Sequence, residues 1–192
     1  MLAELHRMSS ALDAPKTTKS ESALIIRKAR KNDLVMGRSF ESITTAAFLI
    51  GSRQTEHPYT LDEVVDVSRI EKKKVRSTMR KLRRELDLKI PVLKPTDIVD
   101  RMLNKIRYKI SQGDNFYEFK RCVRQVVENA IDYNLHSSRD PVCVVAGAIY
   151  YVAKKRGLAG NTITQESIAD GLSVSKASLR YRYQEIQDTF SR

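Results

Sequence analysis

Residues 60–86 read TLDEVVDVSRIEKKKVRSTMRKLRREL, and residues 164–186 read TQESIADGLSVSKASLRYRYQEI. In the first stretch Val75, Met79, Leu82 and Leu86 are spaced 4, 3 and 4. Leu179, Tyr183, Ile186 and Phe190 repeat that spacing, each 104 residues after its partner. Such spacing lines apolar side chains along one face of a helix. The register extends upstream: Thr60 pairs with Thr164, Val64 with Ile168, Asp66 with Asp170, Ile70 with Val174, Lys72 with Lys176 and Arg76 with Arg180. Further back the offset falls to 101, pairing Arg38 with Arg139, Ile43 with Val144, Ala47 with Ala148 and Arg53 with Lys154. One stripe can match by chance. A match over about fifty residues with one short insertion marks an internal duplication.

Pro91 and Pro95, in LDLKIPVLKP, forbid a continuous helix between the copies. The expected repeats are therefore residues 1–90 and 94–192. No alternating run bounded by turns suggests a strand, so the expected fold is all-α, two tandem five-helix repeats. The helices are predicted at 2–12, 18–33, 39–56, 61–67 and 71–87, then at 95–109, 115–134, 140–156, 165–171 and 175–190. The third helix of each half is the most apolar, as Val142, Val145, Ile149 and Val152 show, and should lie at the centre. Thr60 with Glu63 has the form of a capping box, and Ser175 that of a helix cap.

Composition narrows the function. The 192 residues carry 35 Lys and Arg against 23 Asp and Glu, a net charge of +12. That excess points to a polyanionic partner, DNA, RNA or an acidic protein surface, with a merely solvated basic surface as the bland alternative. No apolar run approaches the ~18 residues of a membrane helix, and the opening MLAELHRMSSALD lacks a secretory core. Cys122 and Cys143 stand apart in apolar helical patterns, as buried thiols do, and cannot supply the paired spacings of a zinc ribbon. His6, His57 and His136 are scattered. With no phosphate loop, metal set or nucleophile motif, the sequence suggests neither an enzyme nor a cofactor.

Each half ends in a short helix, a tight turn and a long helix, the grammar of a helix-turn-helix. Ile168 and Ala169 should face inward from the first helix of the second pair. Lys176, Ala177, Arg180 and Tyr181 lie off the apolar stripe near the start of the second. In DNA-reading examples that part of the helix meets base edges in the major groove. Arg180 can pair with guanine O6 and N7, and Ala177 can meet a thymine methyl. Ser178 and Arg182 suit phosphate contacts. A solvated basic helix face fits these residues equally well. The matching helix of the first half is more basic. From Arg69 to Arg84 it holds nine cations, among them Lys72, Lys73, Lys74, Arg76 and Arg84, opposed within that span by Glu71 alone. So one-sided a run suits phosphates or an acidic protein better than solvent.

These stretches resemble the transcription factor B family, the archaeal counterpart of eukaryotic general factor IIB. GRSFESITTAAFLIGSRQTEHPYTLDEVVDVSRIEKKKVRSTMRKL resembles its first cyclin-like repeat. SSRDPVCVVAGAIYYVAKKRGLAGNTITQESIADGLSVSKASLRYRYQEI resembles the second, and ELDLKIPVLKPTDIVDRM the join. The resemblance implies a monomeric core that straddles a TATA-binding protein on double-stranded promoter DNA, in an archaeal cytoplasm at the nucleoid, or in a nucleus. It implies that Ala177 and Arg180 read the B recognition element upstream of the TATA box. It also implies that the first repeat docks on the TATA-binding protein through positions falling on Lys72, Lys73 and Arg84, and the wider basic belt adds Lys74 and Arg76. Three departures stand out. A valine is common where Ala177 stands, Ser173 replaces a turn glycine, and Glu–Ile–Gly–Arg is common where Lys74–Val75–Arg76–Ser77 stand. The family's N-terminal zinc ribbon and linker have no counterpart here, so RNA polymerase recruitment is expected to be weak or absent. Two other readings share the pattern: a stand-alone helix-turn-helix regulator that binds DNA unaided, and a cyclin-box adaptor that binds protein.

Overall fold

A computed structural model describes residues 1–37, 39–110, 115–137, 139–160 and 163–190. The chain is all-α and divides into two compact units, Met1–Leu93 and Lys94–Arg192. Among the described residues the only β pairing is an isolated bridge between Ala159 and Ile163.

The first unit holds α1 (Leu2–Ala11), α2 (Lys16–Lys31), α3 (Phe40–Gln54), α4 (Leu61–Val67) and α5 (Lys72–Glu85). Every residue of α3 from Ser42 to Ser52 is buried, and the other four helices pack round it. Its core is Leu5, Met8, Ile25, Ile26, Ile43, Phe48, Val64, Val75 and Leu82. A buried hydroxyl pair, Ser42 Oγ and Thr78 Oγ1 at 2.6 Å, pins α5 to α3. Thr60 and Glu63 form a reciprocal capping box at the start of α4: Glu63 N donates to Thr60 Oγ1 at 3.2 Å, and Thr60 N to Glu63 Oε2 at 2.9 Å. Such a cap stabilises a helix by about 1 kcal/mol.

The second unit holds α6 (Pro95–Lys105), α7 (Arg107–Ile110), α8 (Phe116–Asp132), α9 (Pro141–Lys155), α10 (Gln165–Leu172) and α11 (Lys176–Phe190). Its central α9 is buried without interruption from Val144 to Ile149. The sequence predicts one helix over 95–109, but the structure breaks it at Ile106. Ile106 carries no helix-breaking side chain. Its side chain packs against α10, where a Cβ on Gly171 would approach it to 2.7 Å. Lys109 Nζ then donates to the Ser167 carbonyl at 2.7 Å, seating α7 beside α10. The predicted start of α2 also moves, from residue 18 to Lys16, because Pro15 supplies the extended residue before the first turn.

The duplication is visible in the backbone. Asp33 (φ 51°) and Asn134 (φ 58°), 101 residues apart, both adopt the left-handed conformation just after a helix. Leu34 N donates to the Ala29 carbonyl at 3.0 Å, and Leu135 N to the Ala130 carbonyl at 2.8 Å. Asp33 N reaches the Arg30 carbonyl, and Asn134 N that of Ile131. These are two copies of one Schellman turn, built on the short polar residues that tolerate this region. Arg38, the first residue of the offset-101 series, lies outside the described residues.

Candidate nucleic-acid interface

The last two helices of the second unit meet at a left-handed Ser173 (φ 56°, ψ 40°). Val174 N closes the turn on the Ala169 carbonyl at 2.9 Å. Ser175 then caps α11, its Oγ accepting from Ser178 N at 3.0 Å. A second reciprocal cap, between Thr164 and Ser167, starts α10. Ile168, Ala169, Leu172, Leu179, Tyr183 and Ile186 are buried, so the pair shares one apolar seam. The first unit builds its turn differently. Ser68 is extended there (φ −93°, ψ 169°), and its hydroxyl accepts from Ile70 N at 3.3 Å.

Close backbone packing and a hydrogen bond help hold α11 to α9. At Gly147 a Cβ would lie 2.9 Å from Tyr183 N and 2.8 Å from Arg182 Cβ, so the two backbones approach where only hydrogen fits. Further along α9, Lys154 Nζ donates to the Tyr183 hydroxyl at 2.7 Å. That bond holds the Lys154 ammonium above its usual pKa.

With its buried face fixed, α11 turns Lys176, Ala177, Arg180 and Tyr181 outward, all exposed. Tyr181 is 64% exposed, far more than a core tyrosine would be. Ser178 is half-buried and shares a 2.7 Å hydroxyl contact with Ser175. Arg182 behaves differently from its neighbours. Only 11% of its side chain is exposed, and it is ion-paired to Glu185. Glu185 also faces Arg139 at 3.6 Å, and the Arg182 guanidinium lies 4.9 Å from the centre of the Tyr181 ring. Arg182 is thus drawn inward, bracing Tyr181, instead of standing free beside Ser178. Cys143 of α9 lines the same edge. Burial first, then the Asp140 carboxylate, pushes its thiol up, against the Ser178 hydrogen bond and Arg182.

Gln165 and Gln184 were not picked out by the sequence patterns. Both line a shallow concavity with Lys176, Ala177, Arg180 and Tyr181. Gln184 lies seven residues beyond Ala177 and four beyond Arg180, and that helical spacing is the signal that finds it.

In the first unit Lys72, Lys73, Lys74, Arg76, Arg80, Arg83 and Arg84 are all exposed on α5. Within the span Arg69–Arg84 Glu71 is the sole acid, and acids outside the span pair with two of the cations. Asp62 of α4 is ion-paired to Lys72, and Glu85 holds Arg84 at 2.7 Å. Lys73, Lys74 and Arg76 make no ion pair among the described residues. No group of three His, Cys, Asp or Glu among the described residues could hold a metal. No helix there is long and apolar enough to cross a membrane.

Comparisons with known proteins agree on one family. Residues 2–85 match the transcription factor TFIIB repeat. The chain is 35% identical over 187 residues to transcription initiation factor IIB of Methanosarcina mazei, covering 97% of this chain and 52% of that protein. Transcription initiation factor IIB 2 of Halobacterium salinarum is 34% identical over 96% of the chain and 54% of its own length. The Archaeoglobus fulgidus factor is 33% identical over 97% and 54%. The chain spans about half the length of the curated relatives it matches. Matching archaeal transcription initiation factor IIB proteins over nearly all of its own length, the chain is a core of the transcription factor IIB type.

Proposed function

We propose that this chain acts in transcription initiation as a DNA-binding core that joins a TATA-binding protein on promoter DNA. In this reading α11 enters the major groove upstream of the TATA box and reads the B recognition element. The supporting observation is the exposed face of α11. Ala177 and Arg180 stand out from a helix whose opposite face is locked to α9 by Gly147 and Tyr183. A rigid support is what base reading needs, because hydrogen bonds to base edges tolerate little displacement. Arg180 pairs with guanine, Ala177 lies against a thymine methyl, and Lys176 and Ser178 meet phosphates. Lys73, Lys74 and Arg76, with Lys72 and Arg84 beside them, face an acidic surface of the TATA-binding protein.

A mobility-shift assay on an AT-rich promoter with a purine-rich upstream flank tests the proposal. The expected result is a complex that needs both this chain and a TATA-binding protein and weakens when the flank is scrambled. Arg180→Ala should cost about 1–3 kcal/mol on the best flank and little on the worst. An equal loss on every flank would rule out base reading by Arg180. Tight, sequence-selective binding without the TATA-binding protein would favour a stand-alone regulator instead.

A further inference from the structure

Gln184 takes no part in the reading just given, and its surroundings assign it a role. It is exposed, on the outward face of α11, and its carboxamide has no hydrogen-bond partner among the described residues. It borders the same concavity as Arg180 and Tyr181, with Gln165 of α10 on the rim as well. Four residues of helix place it about 6 Å beyond Arg180 along the axis. With base pairs about 3.4 Å apart, that is roughly two steps along a groove.

The duplication sharpens the argument. Gln184 corresponds to Arg80 of α5, at the same outward position one repeat earlier. The first unit has a cation there, which suits a phosphate or an acidic surface. The second has a neutral group that donates and accepts side by side. A carboxamide matches adenine in the major groove: Oε1 accepts from N6 while Nε2 donates to N7. Guanine presents two acceptors at that edge, so Oε1 would face O6 unpaired.

We infer that Gln184 is a specificity-determining residue that reads an adenine about two base pairs from the guanine read by Arg180. The inference rests on the proposal that α11 lies in the major groove. The test is a mobility-shift panel with a TATA-binding protein present and each upstream base pair varied in turn, for wild type, Gln184→Ala and Gln184→Lys. Wild type should prefer adenine at one position by about 5- to 100-fold. Replacing that adenine with 7-deaza-adenine should remove most of the preference. Gln184→Ala should abolish it there and keep the guanine preference nearby. Because Gln184 is exposed, both variants should melt with the wild type. Gln184→Ala that weakens every duplex by one factor marks a phosphate contact, and an unchanged adenine preference marks a bystander. Either overturns the assignment to Gln184 and leaves the α11 reading intact. A wild type blind to every upstream base overturns both.

Discussion

Ser173 holds a left-handed backbone at the joint between α10 and α11 without the freedom of a glycine. That conformation costs an L-residue with a Cβ about 1–2 kcal/mol, an amount partly offset by the larger unfolded-state entropy a glycine would bring. Ser173→Gly should therefore raise stability by about 0.5–1 kcal/mol, read as a shift in the denaturant midpoint at constant slope. A loss would show that the Ser173 side chain contributes more than its strain costs. Sequence alone places serine here but cannot show the turn holding its shape around it, because neighbouring hydrogen bonds decide that. The same holds for Arg182. In sequence it belongs with Ser178 among phosphate contacts; in the fold it is drawn in by Glu185 and braced against Tyr181. The clue was present at offset 104, where Arg182 corresponds to Thr78, which is 1% exposed. A position buried in one copy tends to be buried in the other. The offset-101 pair Arg53 and Lys154 makes the point in reverse. Lys154 has the Tyr183 hydroxyl, whereas the position matching Tyr183 is Met79, and the buried Arg53 Nε finds no acceptor among the described residues.

Helices were legible wherever their apolar period was long. Of the two four-residue stripes, Val75, Leu82, Leu179, Tyr183 and Ile186 are buried, and Met79, Leu86 and Phe190 are half-buried. The break between α6 and α7 was not legible, because no proline or glycine stands near Ile106 to announce it. The closeness of α9 to α11 was also hidden: a glycine inside an apolar helix says only that some neighbour is near. Gly147→Ala should push α11 away from α9 and cost about 1–3 kcal/mol, seen as a lower melting temperature. Its effect on DNA should exceed its effect on folding, since a small displacement of α11 would move Ala177 and Arg180 off the bases they are proposed to read. Should Gly147→Ala melt early yet discriminate flanks as well as wild type, α9 would not be the support of the reading helix. At α5 local stability gives way instead. Lys72, Lys73 and Lys74 occupy its first turn, where the helix dipole is positive and cations are disfavoured by about 0.3–1 kcal/mol each. A helix that carries such charges against its own dipole is better matched to a partner than to water.

In the proposed function the molecule divides its charge between two tasks. Lys73→Glu with Arg76→Glu should weaken assembly with the TATA-binding protein while leaving the preferred upstream bases unchanged, measured by titrating the TATA-binding protein against a fixed promoter. Assembly as tight as wild type would move the docking surface off α5. If α5 meets phosphates instead, the same variant should flatten the dependence of log affinity on log salt by about 0.9 for each phosphate it no longer neutralises. The repeats themselves were legible because duplication left its spacing in the sequence; the charge balance of each face was not, because it depends on charges brought together from different helices, such as Asp62 beside Lys72. The twin turns at Asp33 and Asn134 carry a further consequence. This turn kept its geometry in both copies while the outward-facing residues of α5 and α11 diverged. Reading and docking, as proposed, are two inscriptions on one chassis. A change of target on α11 can be composed from surface residues alone, without renegotiating the architecture beneath it.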